Sequence, residues 1–453
     1  MDIYSGRKAF SIGEAFARKI RRSDSFSRSI AHYTMGIIYD NASRPADAIR
    51  EYEAAVKTDP GVSYFHTRLA ADHFMQKSHD RALEETRRAV SLDPADVRPR
   101  FMAALVYTSL GRYEDAQKEY EEAVRLAPDS IWALSWLADI FVLQRKLSEA
   151  AAVYEKLIGK DRDSEILYFN LGVIYSRLGR TGDAIKALEQ AARVNPKYLE
   201  AYIGLGSLHE SEKDQAAAIA SYEKASAIDP ADAGVYHRLG AAYARSGRYD
   251  DAVRAYGTLE KISPGDPAVY VGWANTYLVR KLPDPAIEVL QKGLLAGVKD
   301  SGLYTMLGYA HSLKDAGSPE SLKYYGMALE LKPDNAVTRF FMAVYYDKAG
   351  DAAAAESQLR QAIKIDPGYA DACNYLGYMF AEKGVNLDEA VALVKKALEA
   401  DPGNGAYIDS LGWAYYRKGD IAGALSELEK AAALEPLDPE IRAHLEEVRS
   451  KKR

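Results

Sequence analysis

Proline recurs at a spacing of 34 residues along most of the chain, and this spacing constrains the fold more than any other feature. The series begins with Pro60, Pro94 and Pro128, resumes at Pro196 and ends at Pro436. A period of this length is typical of repeat proteins, in which each unit buries its apolar face only by stacking on its neighbours. Counted from the prolines, twelve units begin at Ser29, Ser63, Val97, Ile131, Glu165, Leu199, Ala233, Pro267, Ser301, Ala336, Ala370 and Gly405.

Within the units, a few positions hardly vary. The eighth residue is always glycine or alanine, and the eleventh is aromatic or histidine. The twentieth, which becomes the twenty-first in the two units with an extra residue, is alanine in all units but one, which has Ser321. Residues 4, 7, 8 and 11 share one face of a helix, and residues 20, 24 and 27 share one face of a second. Glycines such as Gly247 follow the first helix as a left-handed cap requires, and proline ends the second. Each unit is therefore predicted to be two closely packed antiparallel helices.

This pattern closely resembles the tetratricopeptide repeat family. Arg238–Pro264, for example, carries the Leu-Gly pair, the following Tyr, a Gly and Tyr at the turn, then Ala, Tyr and Pro at the family's spacing. The resemblance implies an all-α protein, an α-α superhelix of about twelve helix-turn-helix repeats over residues 29–438. It also implies a C-terminal capping helix over residues 439–453, with Ile441, Leu445 and Val448 facing inward.

The first 28 residues differ from the repeats because they are rich in arginine and lysine. Ile12, Phe16 and Ile20 suggest one basic amphipathic helix. We expect residues 1–28 to form a half-repeat that caps the first unit. Attachment of this helix to a membrane surface or an acidic partner is the less favoured alternative.

Composition excludes several other classes. The chain has 453 residues, a net charge of -6 and a single cysteine, Cys373. No basic field is present to attract nucleic acid, and no intramolecular disulfide can form. No apolar run is long enough to span a bilayer, and the N-terminus lacks the apolar core of a signal peptide. We expect a cytoplasmic protein, or a periplasmic or envelope-associated one if an export signal precedes this sequence.

Catalytic and ligand-binding motifs are missing from the sequence. Gly204 and Gly206 lack the third glycine and the preceding strand of a dinucleotide site, and His209-Glu210 lacks the second histidine of a zinc site. His66, His73 and His79 do not have the helical spacing of metal ligands. We therefore expect no enzyme activity, no metal and no cofactor.

The surface of the first helices opposite their core face is unusually apolar. Of the 24 residues at places 5 and 9 of the units, thirteen are large and apolar or aromatic, and none is lysine or arginine. In the family this face lines a concave groove, and apolar surface on this scale indicates binding. The predicted partner-binding residues are Tyr309, Phe340, Val344, Tyr378, Trp413, Tyr416, Phe101 and Phe169. The alternative is that the C-terminal members, above all Trp413, pack under the capping helix.

The composition of this face favours one kind of partner. The family's carboxylate clamp for acidic peptide tails needs lysine and asparagine at successive repeats, but Asn170, Asn275 and Asn374 are isolated. An apolar peptide or protein segment fits better. We expect a non-enzymatic protein–protein interaction scaffold. The alternatives are a subunit of bacterial envelope or secretion machinery, and the substrate-recruiting arm of a separate enzyme such as a glycosyltransferase.

One irregularity in the array suggests a bend. The eighth unit ends without proline and carries Gly293 and Gly297, and the ninth has one extra residue. Residues 293–320 are therefore predicted to join two stiffer halves, although a loop variation without consequence is equally consistent with the sequence.

Overall fold

The structure, a computed structural model, describes residues 24–451, which form 25 α-helices and no strand. The first helices of the repeats are α1 (Asp24–Asn41), α3 (Ser63–Met75), α5 (Val97–Ser109), α7 (Ile131–Leu143), α9 (Glu165–Arg177), α11 (Leu199–Ser211), α13 (Ala233–Arg245), α15 (Pro267–Leu278), α17 (Ser301–Lys314), α19 (Ala336–Lys348), α21 (Ala370–Lys383) and α23 (Gly405–Lys418).

The second helices are α2 (Pro45–Thr58), α4 (His79–Leu92), α6 (Tyr113–Leu126), α8 (Leu147–Lys160), α10 (Thr181–Val194), α12 (Gln215–Ile228), α14 (Tyr249–Ile262), α16 (Pro283–Leu295), α18 (Pro319–Leu331), α20 (Ala352–Ile365), α22 (Leu387–Ala400) and α24 (Ile421–Leu434). The last helix is α25 (Pro439–Lys451).

The chain falls into two compact units, Met1–Glu212 and Lys213–Arg453. In the first, the pairs from α1–α2 to α9–α10 stack one after another, and α11 packs on α10. In the second, α12 packs on α13, the pairs from α13–α14 to α23–α24 follow, and α25 packs on α24. The predicted fold class, an all-α solenoid of helix pairs, is confirmed.

Helix starts coincide with the sequence repeat from the second repeat onward. The first helix of each later pair begins at the residue that starts the unit, as at Ser63 in α3 and Gly405 in α23. The first repeat differs, because α1 already contains Asp24 and continues through Ser29 without a break. Residues 1–23 of the predicted N-terminal segment and the last two residues of the chain lie outside the described residues.

The turn inside each repeat places the fifteenth residue in the left-handed backbone region in all but the ninth repeat. Glycine takes this position in six repeats, as the sequence predicted for a helix cap. In five others a residue with a side chain takes it, namely Ser43, Lys77, Arg145, Lys213 and Lys281. The stacked helices therefore impose the same turn even where the local sequence disfavours it.

The core is a seam between the two helices of each repeat. The twentieth residue, alanine or Ser321, is completely buried in all twelve repeats. A larger side chain one turn later, such as Tyr52, Tyr325 or Leu428, fills the space beside it. Small residues at places 8 and 20 let the paired backbones approach closely, and the larger residue restores close packing.

The segment predicted to bend is packed as tightly as the rest. Leu303 and Leu307 are buried in one continuous core cluster that runs from Ala218 to Ala328. A Cβ atom on Gly293 would come within 2.8 Å of both Leu303 and Tyr270. Gly293 therefore serves close packing, whereas a Cβ atom on Gly297 would meet nothing within 4 Å. The shared core gives no support to a bend at residues 293–320, which stays a prediction.

A buried polar cluster joins the first two repeats. The Asp40 carboxylate pairs with Arg68 and accepts a hydrogen bond of 2.7 Å from the Tyr52 hydroxyl. Asp72, one turn beyond Arg68 in α3, is buried, and one of its carboxylate oxygens has no hydrogen-bond partner. Burial, reinforced by the charge of Asp40 and opposed by Arg68, raises the pKa of Asp72 to about 7.

Asp72 should therefore make stability depend on pH. Because its folded pKa lies above the unfolded value of about 3.9, its contribution is complete at lower pH and is lost as the pH rises through about 7. We expect the free energy of unfolding to fall by on the order of 2–3 kcal/mol between about pH 5 and pH 8. In Asp72→Asn this part of the pH dependence should disappear. Urea denaturation across this range tests it, with the exposed Asp334→Asn as control, and parallel profiles for wild type and Asp72→Asn would contradict it.

Candidate partner-binding surface

The groove face is the surface formed by residues 2, 5, 6 and 9 of each first helix. These positions recur at helical spacing, so they lie on one side of the helix and successive helices present them side by side. The eight predicted partner-binding residues belong to this face or to the adjoining place 12. The structure divides them into three groups with different surroundings.

In the first unit, Phe169 lies at a cavity on the groove face. The cavity has a volume of about 430 Å³ and is open to solvent. Phe169, Val173 and Ile203 contribute apolar walls, and Leu188 of α10 contributes to the lining. Arg177 and Glu200 are exposed at its edge. The arrangement is an apolar recess with a polar rim, which is the general form of a ligand site.

Two glycines make room for this recess. A Cβ atom on Gly204 would lie 2.9 Å from Cδ1 of Leu188, and one on Gly172 would lie 2.8 Å from Cδ2 of the same side chain. Leu188 thus packs against the backbone of both first helices. Sequence reasoning treated Gly204 only as a fragment of a nucleotide motif and missed this role. Gly204 lies at place 6 of its repeat, beside two large residues at place 5 of α9 and α11. This position is the sequence signal that could have revealed its packing role.

Phe101, also in the first unit, joins an aromatic series that the sequence only partly revealed. Its ring centroid lies 6.1 Å from that of the buried Tyr120, which stacks at the same distance on Trp136. Trp132, one turn before Trp136 in α7, is 75% exposed. Both tryptophans occupy the groove face at places 2 and 6, and neither was among the predicted residues. Scoring places 2 and 6 as well as 5 and 9 would have identified them.

The second group, in the second unit, is half-buried among its neighbours. The ring centroid of Tyr309 lies 4.6 Å from that of Phe341. Phe340 makes edge-on contacts with the rings of Phe341, Tyr369 and Tyr375. Val344 is half-buried as well. Each of these residues keeps some exposed surface, but much of their aromatic area already packs within the chain.

The third group lies against the capping helix α25. Trp413 is only 6% exposed, and its ring stacks on His444 at 4.1 Å between centroids. The Tyr378 hydroxyl donates to Glu440 at 2.7 Å, and the Tyr416 hydroxyl donates to Glu447 at 3.0 Å. The prediction that Trp413 faces a partner was wrong, because α25 takes the place that a following repeat would fill.

A buried ion pair holds the capping helix in place. Nδ1 of His444 lies 2.9 Å from a carboxylate oxygen of Asp409, and both side chains are buried. Burial alone would lower the pKa of His444, but the hydrogen bond and the charge of Asp409 outweigh it, so this pKa lies above its ordinary value. Ile441, Leu445 and Val448 are buried as the sequence predicted. The C-terminal end of the groove face is therefore closed by the chain itself.

Two further observations bear on the described residues. Across residues 24–451, no three or more histidine, cysteine or acidic side chains are grouped so that they could hold a metal ion. In the same part of the chain, no helix combines the length and the apolar character needed to cross a bilayer.

An array of closely packed helix pairs with an apolar groove face defines an interaction solenoid. A tetratricopeptide repeat model matches residues 33–97, 101–165, 169–233 and 342–405, together more than half of the chain. Two further tetratricopeptide repeat models match residues 244–308 and 380–447, and residues 221–254. The chain belongs to the tetratricopeptide repeat family. The repeats and the relatives below support a protein-interaction scaffold.

Curated relatives are similar to parts of the chain. Anaphase-promoting complex subunit 7 of Arabidopsis thaliana is 26% identical over 186 residues, 40% of this chain and 32% of that protein. The human protein O-mannosyl-transferase TMTC3 is 23% identical over 172 residues, 37% of this chain and 16% of the enzyme. Human superkiller complex protein 3 is 26% identical over 128 residues, 28% of this chain and 8% of that protein. In each case the match spans a third or less of the relative.

Solved structures resemble the chain more loosely. A chain in the structure of Naa15/Naa10 bound to HypK-THB superposes with a TM-score of 0.44 at 16% identity, covering 94% of this chain and 66% of that one. Yeast Tom70 gives a TM-score of 0.41 at 15% identity, covering 94% of this chain and 96% of that one. At such TM-scores these structures add nothing to the family assignment. The assignment rests on the matches to the tetratricopeptide repeat models.

Proposed function

We propose that this protein is a non-enzymatic scaffold that holds an apolar segment of a protein partner on the groove face of α9 and α11. The observation that carries the proposal is the recess of about 430 Å³ beside Phe169, Val173 and Ile203. Its volume lies within the range of about 300–1,000 Å³ that is usual for ligand pockets. An aromatic wall in a recess with a polar rim is the arrangement found at interface hot spots.

The recess and the C-terminal end of the array differ as docking surfaces. At the C-terminal end, Trp413 and the hydroxyl groups of Tyr378 and Tyr416 are already engaged by α25. A partner there would have to displace a buried histidine–aspartate pair. In the recess of the first unit, an apolar side chain could bury Phe169 and Ile203 further without breaking a contact of that kind. We therefore assign the main contact to α9 and α11, and a lesser one to Tyr309, Phe340 and Val344.

The relatives support the scaffold proposal in a limited way. Two of them are named as members of multiprotein complexes, the anaphase-promoting complex and the superkiller complex, and a role within an assembly fits an interaction solenoid. The third is named as a transferase, but the match covers 16% of its length. That share is too small to support assigning transferase activity to this chain.

Affinity capture with a groove variant tests the proposal. In Phe169→Ala combined with Ile203→Ala, the partners captured by wild type should be lost, because two of the three apolar walls of the recess are removed. The matched control is Leu295→Ala combined with Leu331→Ala, two exposed apolar residues on second helices. Quantitative mass spectrometry should show the wild-type set retained by the control. Retention of the same set by the groove variant would contradict the proposal.

A further inference from the structure

One face of α7 carries two tryptophans and an aspartate. Trp132, Trp136 and Asp139 follow one another at i, i+4 and i+7, so they lie on the same side of the helix. Trp132 is 75% exposed and Trp136 is 39% exposed. Indole rings are rarely left this open to water, and two on one helix face indicate a surface that is covered in a complex.

Asp139 is the only charged residue of α7. In the described part of the chain it forms no ion pair, and its one hydrogen bond is a long one, 3.4 Å from the Tyr154 hydroxyl. Asp139 is exposed at the surface, and the protein around it raises its pKa, an effect that the Tyr154 hydrogen bond opposes. An accessible carboxylate that has no cation of its own can form a charge-assisted hydrogen bond with a cation supplied by a partner.

Two basic residues in the repeats around α7 are paired with other acidic groups. Arg100 pairs with Glu119 at 3.0 Å, and Lys160 pairs with Asp129. A hydrogen bond of 3.4 Å from Asn170 to the Tyr154 hydroxyl links the group to α9, the helix that carries Phe169. Asp139 is therefore linked through Tyr154 to the helix that carries Phe169, and it offers a carboxylate where the walls of the recess are apolar.

We propose that Trp132, Trp136 and Asp139 form a subsite for an arginine or lysine side chain of the bound partner segment. The inference rests on the proposed function and adds the partner's charge pattern to it: a basic residue close to the apolar residues that fill the recess. A guanidinium or ammonium group is attracted to the electron-rich face of an indole, and the carboxylate supplies a charge-assisted hydrogen bond. An acidic side chain would be repelled by Asp139, and a neutral one would leave it unpaired.

A phage-displayed library of random dodecapeptides provides the probe. The library is panned in parallel on wild type, on Asp139→Asn and on the control Asp334→Asn, which alters an exposed aspartate in the loop after α18. Wild type and the control should select peptides that combine arginine or lysine with apolar residues, and Asp139→Asn should lose the basic preference. In the tightest peptide, changing the arginine to the neutral isostere citrulline should weaken binding to wild type about tenfold, as loss of a charge-assisted bond does. Binding to Asp139→Asn should hardly change.

The possible outcomes distinguish a failure of the subsite from a failure of the recess. Three results would overturn the subsite while leaving the recess in place. Wild type could select apolar peptides without basic enrichment, it could select acidic peptides, or citrulline could weaken binding equally in wild type and Asp139→Asn. If no peptide is selected, or if Phe169→Ala with Ile203→Ala binds the selected peptides as well as wild type does, the recess fails, and the subsite fails with it. Trp132→Ala should reproduce the loss of arginine preference in part, and no effect of this change would also contradict the subsite.

Discussion

Trp413→Ala is expected to lower the free energy of unfolding of the C-terminal part of the second unit by about 3–5 kcal/mol, the usual loss for a buried aromatic residue. The ring is almost completely buried, stacks on His444, and donates a hydrogen bond from its indole nitrogen to Glu382. Its removal opens a cavity between α23 and α25 and loosens the Asp409–His444 pair. Because contacts in a solenoid run between neighbours, the loss should be concentrated in the last repeats.

Hydrogen exchange read by mass spectrometry tests this expectation, because it reports stability segment by segment. Protection should fall in α23 and α25 and change little in the first unit. Trp132→Ala is the matched control, since that ring is mostly exposed and its loss should change stability by no more than about 0.5 kcal/mol. Unchanged protection of α25 in Trp413→Ala would show that the ring is not part of the cap.

Gly308→Leu is expected to destabilise the second unit by about 2–3 kcal/mol. A Cβ atom on Gly308 would lie 2.5 Å from Cε1 of Tyr325, a side chain that is completely buried between α17 and α18. A leucine there must push the two helices apart or force the tyrosine out of its place. The gain in helix propensity over glycine, about 0.8 kcal/mol, offsets only part of that cost.

The same helix pair offers a matched control for this change. Gly326 follows Tyr325 in α18, and a Cβ atom there would meet nothing within 4 Å. Gly326→Leu should therefore be neutral or slightly stabilising in thermal and urea denaturation. Equal destabilisation by the two substitutions would mean that close approach at the eighth place is not what requires glycine at Gly308.

Periodicity predicted the helices because stacking imposes the same local demands on every repeat. The small eighth residue and the alanine at place 20 are needed wherever two helices approach closely, so they recur and can be read from one chain. The left-handed residue of the turn was predicted only where it is glycine. Lys77 and Arg145 adopt the same conformation because the packed helices on either side fix the turn, which local sequence does not report.

The candidate site was less predictable because it depends on what lies beyond each repeat. Trp413 and Tyr309 occupy the same place in their repeats, yet one is covered by α25 and the other keeps exposed surface. Phe169 was predicted, but the recess beside it depends on Gly204, Gly172 and the position of Leu188 between them. These are relations between three helices, and the pattern within one repeat does not contain them.

The central claim is that the partner segment binds in the recess of α9 and α11. Fluorescence anisotropy with the tightest peptide from the random library measures it directly. Phe169→Ala with Ile203→Ala should weaken binding by tenfold or more, as expected for hot-spot residues. Phe340→Ala with Val344→Ala, two apolar residues on the groove face of α19, should weaken it less than about threefold. A reversed order, with the α19 pair causing the larger loss, would contradict the account.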